Sequence, residues 1–122
     1  QAACPWYPPT NLSTFKYKDA EESAASMESL LLGYNIMRNI KDAYNSSPVS
    51  KVTKDAPPFL IIHGINDQTV SFEQSEELYD KLIENGCDAD LIALEDADHA
   101  DLQFFQDELW DRIIKFFKTK LG

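Results

Sequence analysis

The stretch PPFLIIHGINDQTV, residues 57–70, carries the clearest structural signal in this chain. Its apolar run from Phe59 to His63 is typical of a strand that is buried on both faces of a parallel sheet. The run stops at a His-Gly pair, and a polar loop containing Asp67 follows. Because open parallel sheets collect ligands and reactive groups at the carboxyl ends of their strands, we expect this loop to lie at a functional edge.

The residues that follow predict a helix and a second strand. The pattern Ser71-x-x-Gln74 is a capping-box signature, which predicts a helix start, and Asn85-Gly86 predicts the helix end. Residues 89–94 predict the next strand.

A polar loop, residues 96–101, and a final helix, residues 102–121, complete the chain. The loop contains His99, and the helix is predicted to bury an apolar stripe that includes Phe105. Strand and helix alternate here with short loops, which predicts right-handed parallel crossovers and an α/β fold. Two such neighbouring strands would bring Asp67 and His99 to one edge, within hydrogen-bond reach of about 2.6–3.2 Å.

The first half of the chain is more irregular. Residues 1–7 predict a short buried strand that ends at a Pro-Pro pair. Residues 20–33 and about 35–44 predict two helices, the first with Gly33 as its stop. The apolar stripe expected on the first helix consists of Met27, Leu30, Leu31 and Tyr34.

Size, charge and cysteine content restrict the function classes. The chain has 122 residues, 43% of them hydrophobic, and a formal net charge of −10. This acidic balance disfavours nucleic acid and anionic membrane surfaces as partners, and no apolar run is long enough to span a bilayer. Two cysteines do not make a disulfide framework. The compartment remains unassigned.

Several ordered motifs carry a resemblance to a known family. They are His63-Gly64-x-x-Asp67-x-x-Val70, the helix Phe72–Tyr79, Asp98-His99-Ala100, Trp6–Leu12, Ser29–Gly33 and Ser47-Pro48. Together they resemble the later half of an α/β-hydrolase fold serine esterase or lipase. The resemblance implies an α/β fold in which late parallel strands, flanked by helices, form part of a three-layer sandwich. Residues 1–122 would be the C-terminal part of one such domain, with a small helical lid insert at about residues 20–45.

The resemblance also implies a chemistry and its residues. Asp67 matches the acid of a Ser-Asp-His triad and His99 matches the base, in the order that this family uses. No G-x-S-x-G nucleophile elbow occurs in the sequence, and Ser13, Ser71 and Ser75 lack its flanking glycines. We therefore expect the nucleophile and the oxyanion hole in a preceding half of the domain, and we expect the isolated chain to be inactive. The implied reaction is hydrolysis of a carboxylic ester, with no cofactor and no metal.

Each candidate residue also has a simpler interpretation. An aspartate such as Asp67 is often a turn residue, and His99 alone would be a loop or capping histidine. His63 is interpreted as a structural brace for the loop after its strand. Acidic residues near His99 either compete as its partner or form a solvated rim; they are Glu95, Asp96, Asp98 and Asp101. Four aromatic residues either line an acyl pocket or pack as core; they are Trp6, Tyr7, Phe15 and Tyr17.

Two other functions are compatible with the same pattern. One is a serine peptidase of the prolyl-oligopeptidase type, and the other is a non-catalytic binding or scaffold module of hydrolase fold. The partners expected are a small-molecule ester substrate and the missing N-terminal half of the domain. Self-association through an exposed sheet edge at residues 1–7 is a further expectation.

Overall fold

The computed structural model describes the whole chain, Gln1–Gly122, as two compact units. The smaller unit is Thr10–Lys51, and the larger one combines Gln1–Pro9 with Val52–Gly122. The predicted insert at residues 20–45 lies inside the smaller unit, and Asp67 and His99 belong to the larger one.

The chain contains five α-helices and two β-strands. In chain order they are α1 Ala20–Ala25, α2 Met27–Leu32, α3 Ile40–Asn45, β1 Phe59–Gly64, α4 Glu73–Glu84, β2 Ala89–Leu94 and α5 Asp107–Leu121. Short 3-10 turns lie at Leu12–Thr14, Ile36–Arg38, Pro48–Lys51 and Leu102–Phe105. None of the helices combines the length and the hydropathy needed to cross a membrane.

The two predicted strands form a parallel pair, with Phe59 opposite Ala89 and Gly64 opposite Leu94. Both strands end at the same edge, so the loops that follow them emerge side by side. We name residues 65–70 the β1 loop and residues 95–101 the β2 loop.

Residues 1–7 run parallel to β1 on the edge opposite β2, but they do not form the regular strand that the sequence predicted. They make only two isolated bridges, Ala3 to Phe59 and Trp6 to Ile62. Between these bridges lies Pro5, whose carbonyl accepts a hydrogen bond from the Ile62 N–H at 3.0 Å. Proline has no N–H to return to β1, so the ladder is interrupted at this residue.

Helices cover both faces of the two-stranded sheet. Side chains alternate along a strand, and on one face Leu60 and Ile62 pack with Leu109 and Ile113 of α5 and with Phe104. On the other face His63 reaches Ser75 of α4. The larger unit is therefore a partial α/β fold, in agreement with the predicted class.

The start of α4 differs from the predicted capping box. The residue before the helix is Phe72, whose side chain makes no cap hydrogen bond. Ser71 contributes instead its backbone carbonyl, which accepts from the Gln74 N–H at 3.0 Å. The backbone of Phe72 is already helical (φ −53°, ψ −31°), whereas an N-cap residue is extended.

The predicted final helix is divided in two. A 3-10 turn, Leu102–Phe105, is followed by an extended residue, Gln106 (φ −73°, ψ 140°), and α5 begins at Asp107. The break changes which side chain faces inward. Phe104 is fully buried, while Phe105, which was predicted in the buried stripe, is 60% exposed.

The predicted helix at residues 20–33 is likewise two helices. Ser26 separates α1 from α2 because its backbone is extended (φ −66°, ψ 151°). Its hydroxyl accepts from the Ser29 N–H at 3.2 Å and donates to the Ser23 carbonyl at 2.8 Å. A serine at this position therefore caps the second helix and ends the first. Gly33 ends α2 in the left-handed conformation, as predicted (φ 78°).

Of the apolar stripe predicted for this region, only Tyr34 packs against the core, and the other three residues are wrong. Met27, Leu30 and Leu31 are 78%, 66% and 83% exposed. The inward positions belong to serines: Ser23 donates to Asn35 Oδ1, and the Ser29 hydroxyl accepts from the Ile36 N–H. The apolar core of the smaller unit is formed by Leu12, Ile36 and Ala43, with Phe15, Tyr17, Leu32 and Tyr34 packed against them.

Candidate active site

Backbone hydrogen bonds join the β1 loop to the last residue of β2 and to the β2 loop. The Ile65 N–H donates to the Leu94 carbonyl and the Asn66 N–H donates to the Ala97 carbonyl, each at 3.0 Å. These bonds continue the contact between the two chain segments past the strand ends. The two loops are therefore joined to each other by backbone hydrogen bonding at this edge of the sheet.

Gly64 allows this close approach. An ideal Cβ built on Gly64 would lie 2.3 Å from the Ala97 carbonyl oxygen and 2.8 Å from its carbonyl carbon. These are backbone atoms, and they cannot rotate away as a side chain can. The His-Gly pair that ends the apolar run thus has a steric reason: no other residue leaves room for Ala97.

Asp67 is held by the backbone of its own loop. Its Oδ1 accepts from the N–H groups of Thr69 and Val70, at 2.8 and 2.7 Å. This Asx-type geometry closes the turn and leaves Oδ2 directed at the β2 loop. The side chain has no solvent exposure.

His99 lies in the β2 loop, as predicted, and its Nδ1 is 2.8 Å from Asp67 Oδ2. The carboxylate oxygen is an acceptor, so Nδ1 carries the proton and Nε2 keeps its lone pair. The His99 side chain is 29% exposed, in contrast to the buried Asp67. The pair therefore consists of a buried carboxylate and an accessible imidazole whose outer nitrogen can accept a proton.

His63 is fully buried and occupies both of its ring nitrogens. Nε2 lies 2.8 Å from the Val70 carbonyl and 3.2 Å from Asp67 Oδ2, and both of these are acceptors. Nε2 therefore carries the proton, and Nδ1 accepts from the Ser75 hydroxyl at 2.6 Å. The ring links the β1 loop to α4, in agreement with its predicted structural role. The Ser75 hydroxyl is engaged in this hydrogen bond.

Burial lowers the pKa of His63, and the carbonyl of Val70 and the carboxylate of Asp67 oppose this shift only in part. A depressed folded-state pKa means that the unfolded chain binds the extra proton first as the pH falls. Neutral, buried His63 therefore contributes to the free energy of unfolding at pH values above about 6.5, the ordinary pKa of the group. This contribution is lost as the pH falls through the pKa of His63 in the folded protein.

We therefore expect the His63 Cε1–H resonance to titrate at a lower pH in the folded protein than in the unfolded chain, because burial lowers its pKa. The same protein in urea is the control, and there the histidine resonances should titrate near pH 6.5. A folded-state midpoint at or above 6.5 would contradict the neutral, buried assignment.

Tyr7 is the aromatic residue that reaches this site. Its ring centroid lies 4.1 Å from that of His99, and the ring also packs edge-on against the buried Phe104. Trp6, by contrast, packs on Phe104 and Trp110. Of the aromatic residues that were predicted to line a pocket or to pack as core, Tyr7 contacts the imidazole, whereas Trp6 packs against core residues.

Backbone strain is concentrated around His99. Three non-glycine residues have positive φ: Tyr7 (37°), Asp96 (57°) and Ala100 (55°). Asp96 and Ala100 flank His99 in the β2 loop, and Tyr7 contacts its ring. Strained residues of this kind persist only where the surrounding structure holds them, and they cluster at functional sites.

Sequence reasoning did not identify two features of this edge. Asp98 was predicted either to compete as the partner of His99 or to belong to a solvated rim. In the structure it is exposed, and its Oδ1 accepts from the backbone of both loops. The contact of Tyr7 with His99 depends on the path of residues 1–7 along β1, which no local pattern encodes. The only signal in the chain that could have suggested the role of Asp98 is the sequence DADHAD, residues 96–101, around His99.

Comparison with known proteins gives a consistent family. A family model described as BD-FAE matches residues 1–82, a range that includes Asp67 and ends before His99. The probable carboxylic ester hydrolase LipM of Mycobacterium tuberculosis is 28% identical over 82 residues, or 67% of this chain. Esterase LipC of the same organism is 34% identical over 56 residues, or 46% of this chain.

A solved structure shares the fold. A truncated form of a carbohydrate esterase from gut microbiota superposes on 98% of this chain with a TM-score of 0.85 and 26% identity. The chain spans only 42% of that structure, and the matched regions span 19% and 14% of the two mycobacterial proteins. The family model covers more than half of the chain. The chain therefore belongs to the BD-FAE family, among the esterase- and lipase-like α/β-hydrolases.

Proposed function

We propose that the protein hydrolyses carboxylic esters and that this chain supplies the acid, Asp67, and the base, His99, of a Ser-Asp-His triad. The observation that carries the proposal is the 2.8 Å contact between His99 Nδ1 and the buried Asp67 Oδ2 at the carboxyl edge of two parallel strands. The esterase names of the relatives support the reaction class.

The proposed mechanism uses the free nitrogen of His99. A serine hydroxyl attacks the ester carbonyl carbon while His99 Nε2 accepts the hydroxyl proton. The imidazolium then gives this proton to the departing alkoxide, which leaves an acyl-serine. Water attacks the acyl group with the same base, and the proton returns to the serine as the carboxylate product leaves. Asp67 keeps the ring in the required tautomer and stabilises its positive charge.

The serine belongs, in this proposal, to a part of the protein outside these 122 residues. The sequence has no G-x-S-x-G elbow, and Ser75 is fully buried with its hydroxyl bonded to His63. We also propose that β1 and β2 are late strands of a larger sheet, which forms the middle layer of a three-layer sandwich, and that residues 20–45 belong to a lid. The substrate is a small ester, and an ester carried on a carbohydrate is the first to test because the superposed structure is that of a carbohydrate esterase.

Covalent labelling of the complete protein tests this assignment. A fluorophosphonate probe, which reacts with activated serines, is expected to label the protein once and to abolish hydrolysis of p-nitrophenyl acetate. Peptide mapping should place the label outside residues 1–122.

Three outcomes would contradict the proposal. Label on Ser13, Ser71 or Ser75 would mean that the nucleophile lies in this chain. Cleavage of peptide p-nitroanilides in preference to esters would indicate the peptidase alternative. A complete protein with neither label nor hydrolysis would indicate the non-catalytic module.

A further inference from the structure

One oxygen of Asp98 joins the two loops of the site. Its Oδ1 accepts from the Gln68 N–H at 2.9 Å and from the His99 N–H at 2.6 Å. Gln68 directly follows Asp67 in the β1 loop, and His99 directly follows Asp98 in the β2 loop. A single carboxylate oxygen therefore fixes the backbone next to Asp67 and the backbone of His99 itself.

Apart from the Asp67–His99 bond itself, no other hydrogen bond between the two loops lies so close to both Asp67 and His99. The Ile65 and Asn66 N–H groups bind the β2 segment before Asp67 is reached, and the N–H groups of Thr69 and Val70 bind Asp67 itself. From Ile65 to Val70 every backbone N–H has an acceptor. Gln68 is the residue of this segment whose N–H donates to a side chain of the β2 loop. Beyond Asn66 the loops would be joined only through the Asp67–His99 contact if this side chain were removed.

Asp98 is itself oriented and charged. Its own N–H donates to Asp101 Oδ2 at 3.2 Å, which places the residue in a turn of the β2 loop. The hydrogen bonds from the Gln68 and His99 N–H groups lower the pKa of the Asp98 carboxyl. The acceptor is therefore an anion at neutral pH, which strengthens both bonds.

The two hydrogen bonds to Asp98 Oδ1, which we call the Asp98 clamp, restrain a loop whose backbone is strained. Asp96 and Ala100 hold left-handed conformations on either side of Asp98 and His99. A loop under such strain relaxes when its restraints are removed. Relaxation would move the His99 backbone, while Asp67, which is held by its own turn, would stay in place.

From this geometry we infer that Asp98 is a positioning residue, which sets the Asp67–His99 contact by tying the Gln68 and His99 N–H groups to one oxygen. Its catalytic consequence rests on the proposed function, whereas its effect on the contact does not. The essential property is a hydrogen-bond acceptor at Oδ1, and asparagine retains this property.

Kinetics of three variants of the complete protein test the inference. We expect Asp98→Ala to lower kcat for p-nitrophenyl acetate by about 10- to 100-fold with KM changed less than about threefold, because a displaced base affects the chemical step. Asp98→Asn should restore kcat to within about threefold of the parent. Glu95→Ala is the matched control, since it removes one negative charge from the same loop at an exposed position, and its kcat should be unchanged.

An NMR measurement separates this inference from the proposed activity. The His99 Nδ1–H proton bonded to Asp67 should give a downfield, slowly exchanging resonance in the parent, Asp98→Asn and Glu95→Ala proteins. It should be lost or broadened in Asp98→Ala. This pattern would support the clamp even in a protein that hydrolyses no ester.

Two results would overturn the inference. One is an Asp98→Ala protein that keeps both the resonance and the activity. The other is an Asp98→Asn protein as impaired as Asp98→Ala, because charge rather than the acceptor would then be the essential property. Asp98 is exposed, so Asp98→Ala removes no core contact. The Asp98→Asn comparison decides the question if the alanine variant does not fold.

Discussion

Asp67→Asn is expected to lower kcat of the complete protein by about 10³- to 10⁴-fold. The hydrogen bonds explain why so small a change has so large an effect. Oδ1 accepts from the Thr69 and Val70 N–H groups, so the asparagine oxygen must take this position. Its NH2 group then faces His99 Nδ1, and two donors would meet. His99 can avoid this only by moving its proton to Nε2, where it no longer accepts a proton from a serine.

The measurement is steady-state hydrolysis of p-nitrophenyl acetate together with urea unfolding. Asp111→Asn, the same substitution at an exposed residue of α5, is the control and should retain full activity. An Asp67→Asn protein that folds and keeps kcat within tenfold of the parent would show that Asp67 does not set the His99 tautomer.

Gly64→Ala is expected to affect both stability and activity. The added Cβ would lie 2.3 Å from the Ala97 carbonyl oxygen, so either β1 or the β2 loop must shift. Overpacking of this kind costs about 1–3 kcal/mol or more of unfolding free energy. Because Ala97 is two residues before His99, we also expect kcat to fall by about 10²-fold, the scale of a 1 Å misplacement.

Gly86→Ala separates steric clash from backbone strain. Gly86 ends the α4 region in the left-handed conformation (φ +73°), and a Cβ added there would have no atom within 4 Å. Alanine there should cost about 1–2 kcal/mol and leave kcat unchanged. Urea unfolding and kcat of the two variants would contradict the prediction if Gly64→Ala were no less stable than Gly86→Ala and remained fully active.

Elements with a strong local pattern were predictable from the chain. The continuous apolar run at residues 59–63 predicted β1, because burial on both faces requires such a run. Residues 89–94, which are apolar apart from Asp90, predicted β2. The loops after them followed from parallel topology, and so did the expectation that Asp67 and His99 meet. The resemblance to α/β-hydrolases was confirmed by the family match.

Predictions from apolar periodicity failed where a polar side chain formed local hydrogen bonds, or where a proline had no backbone N–H to donate. Ser26 satisfies backbone groups locally and so divides a helix that periodicity made continuous. Serines at positions 23 and 29 are buried because they bind Asn35 and Ile36, and this leaves Leu30 and Leu31 exposed. Pro5 interrupts the first strand because it lacks an N–H.

The order of residues along the chain was enough to predict two parallel strands, the loops at their carboxyl ends and the meeting of Asp67 and His99 there. The apolar pattern of the sequence reveals the buried strands, and the carboxyl ends of neighbouring parallel strands lie at one edge of the sheet. Tertiary structure alone specified the tautomers of His63 and His99, the contact of Tyr7 with the imidazole, and the Asp98 bridge. Each of these depends on distances between groups on different structural elements, where a few tenths of an ångström decide whether a hydrogen bond forms.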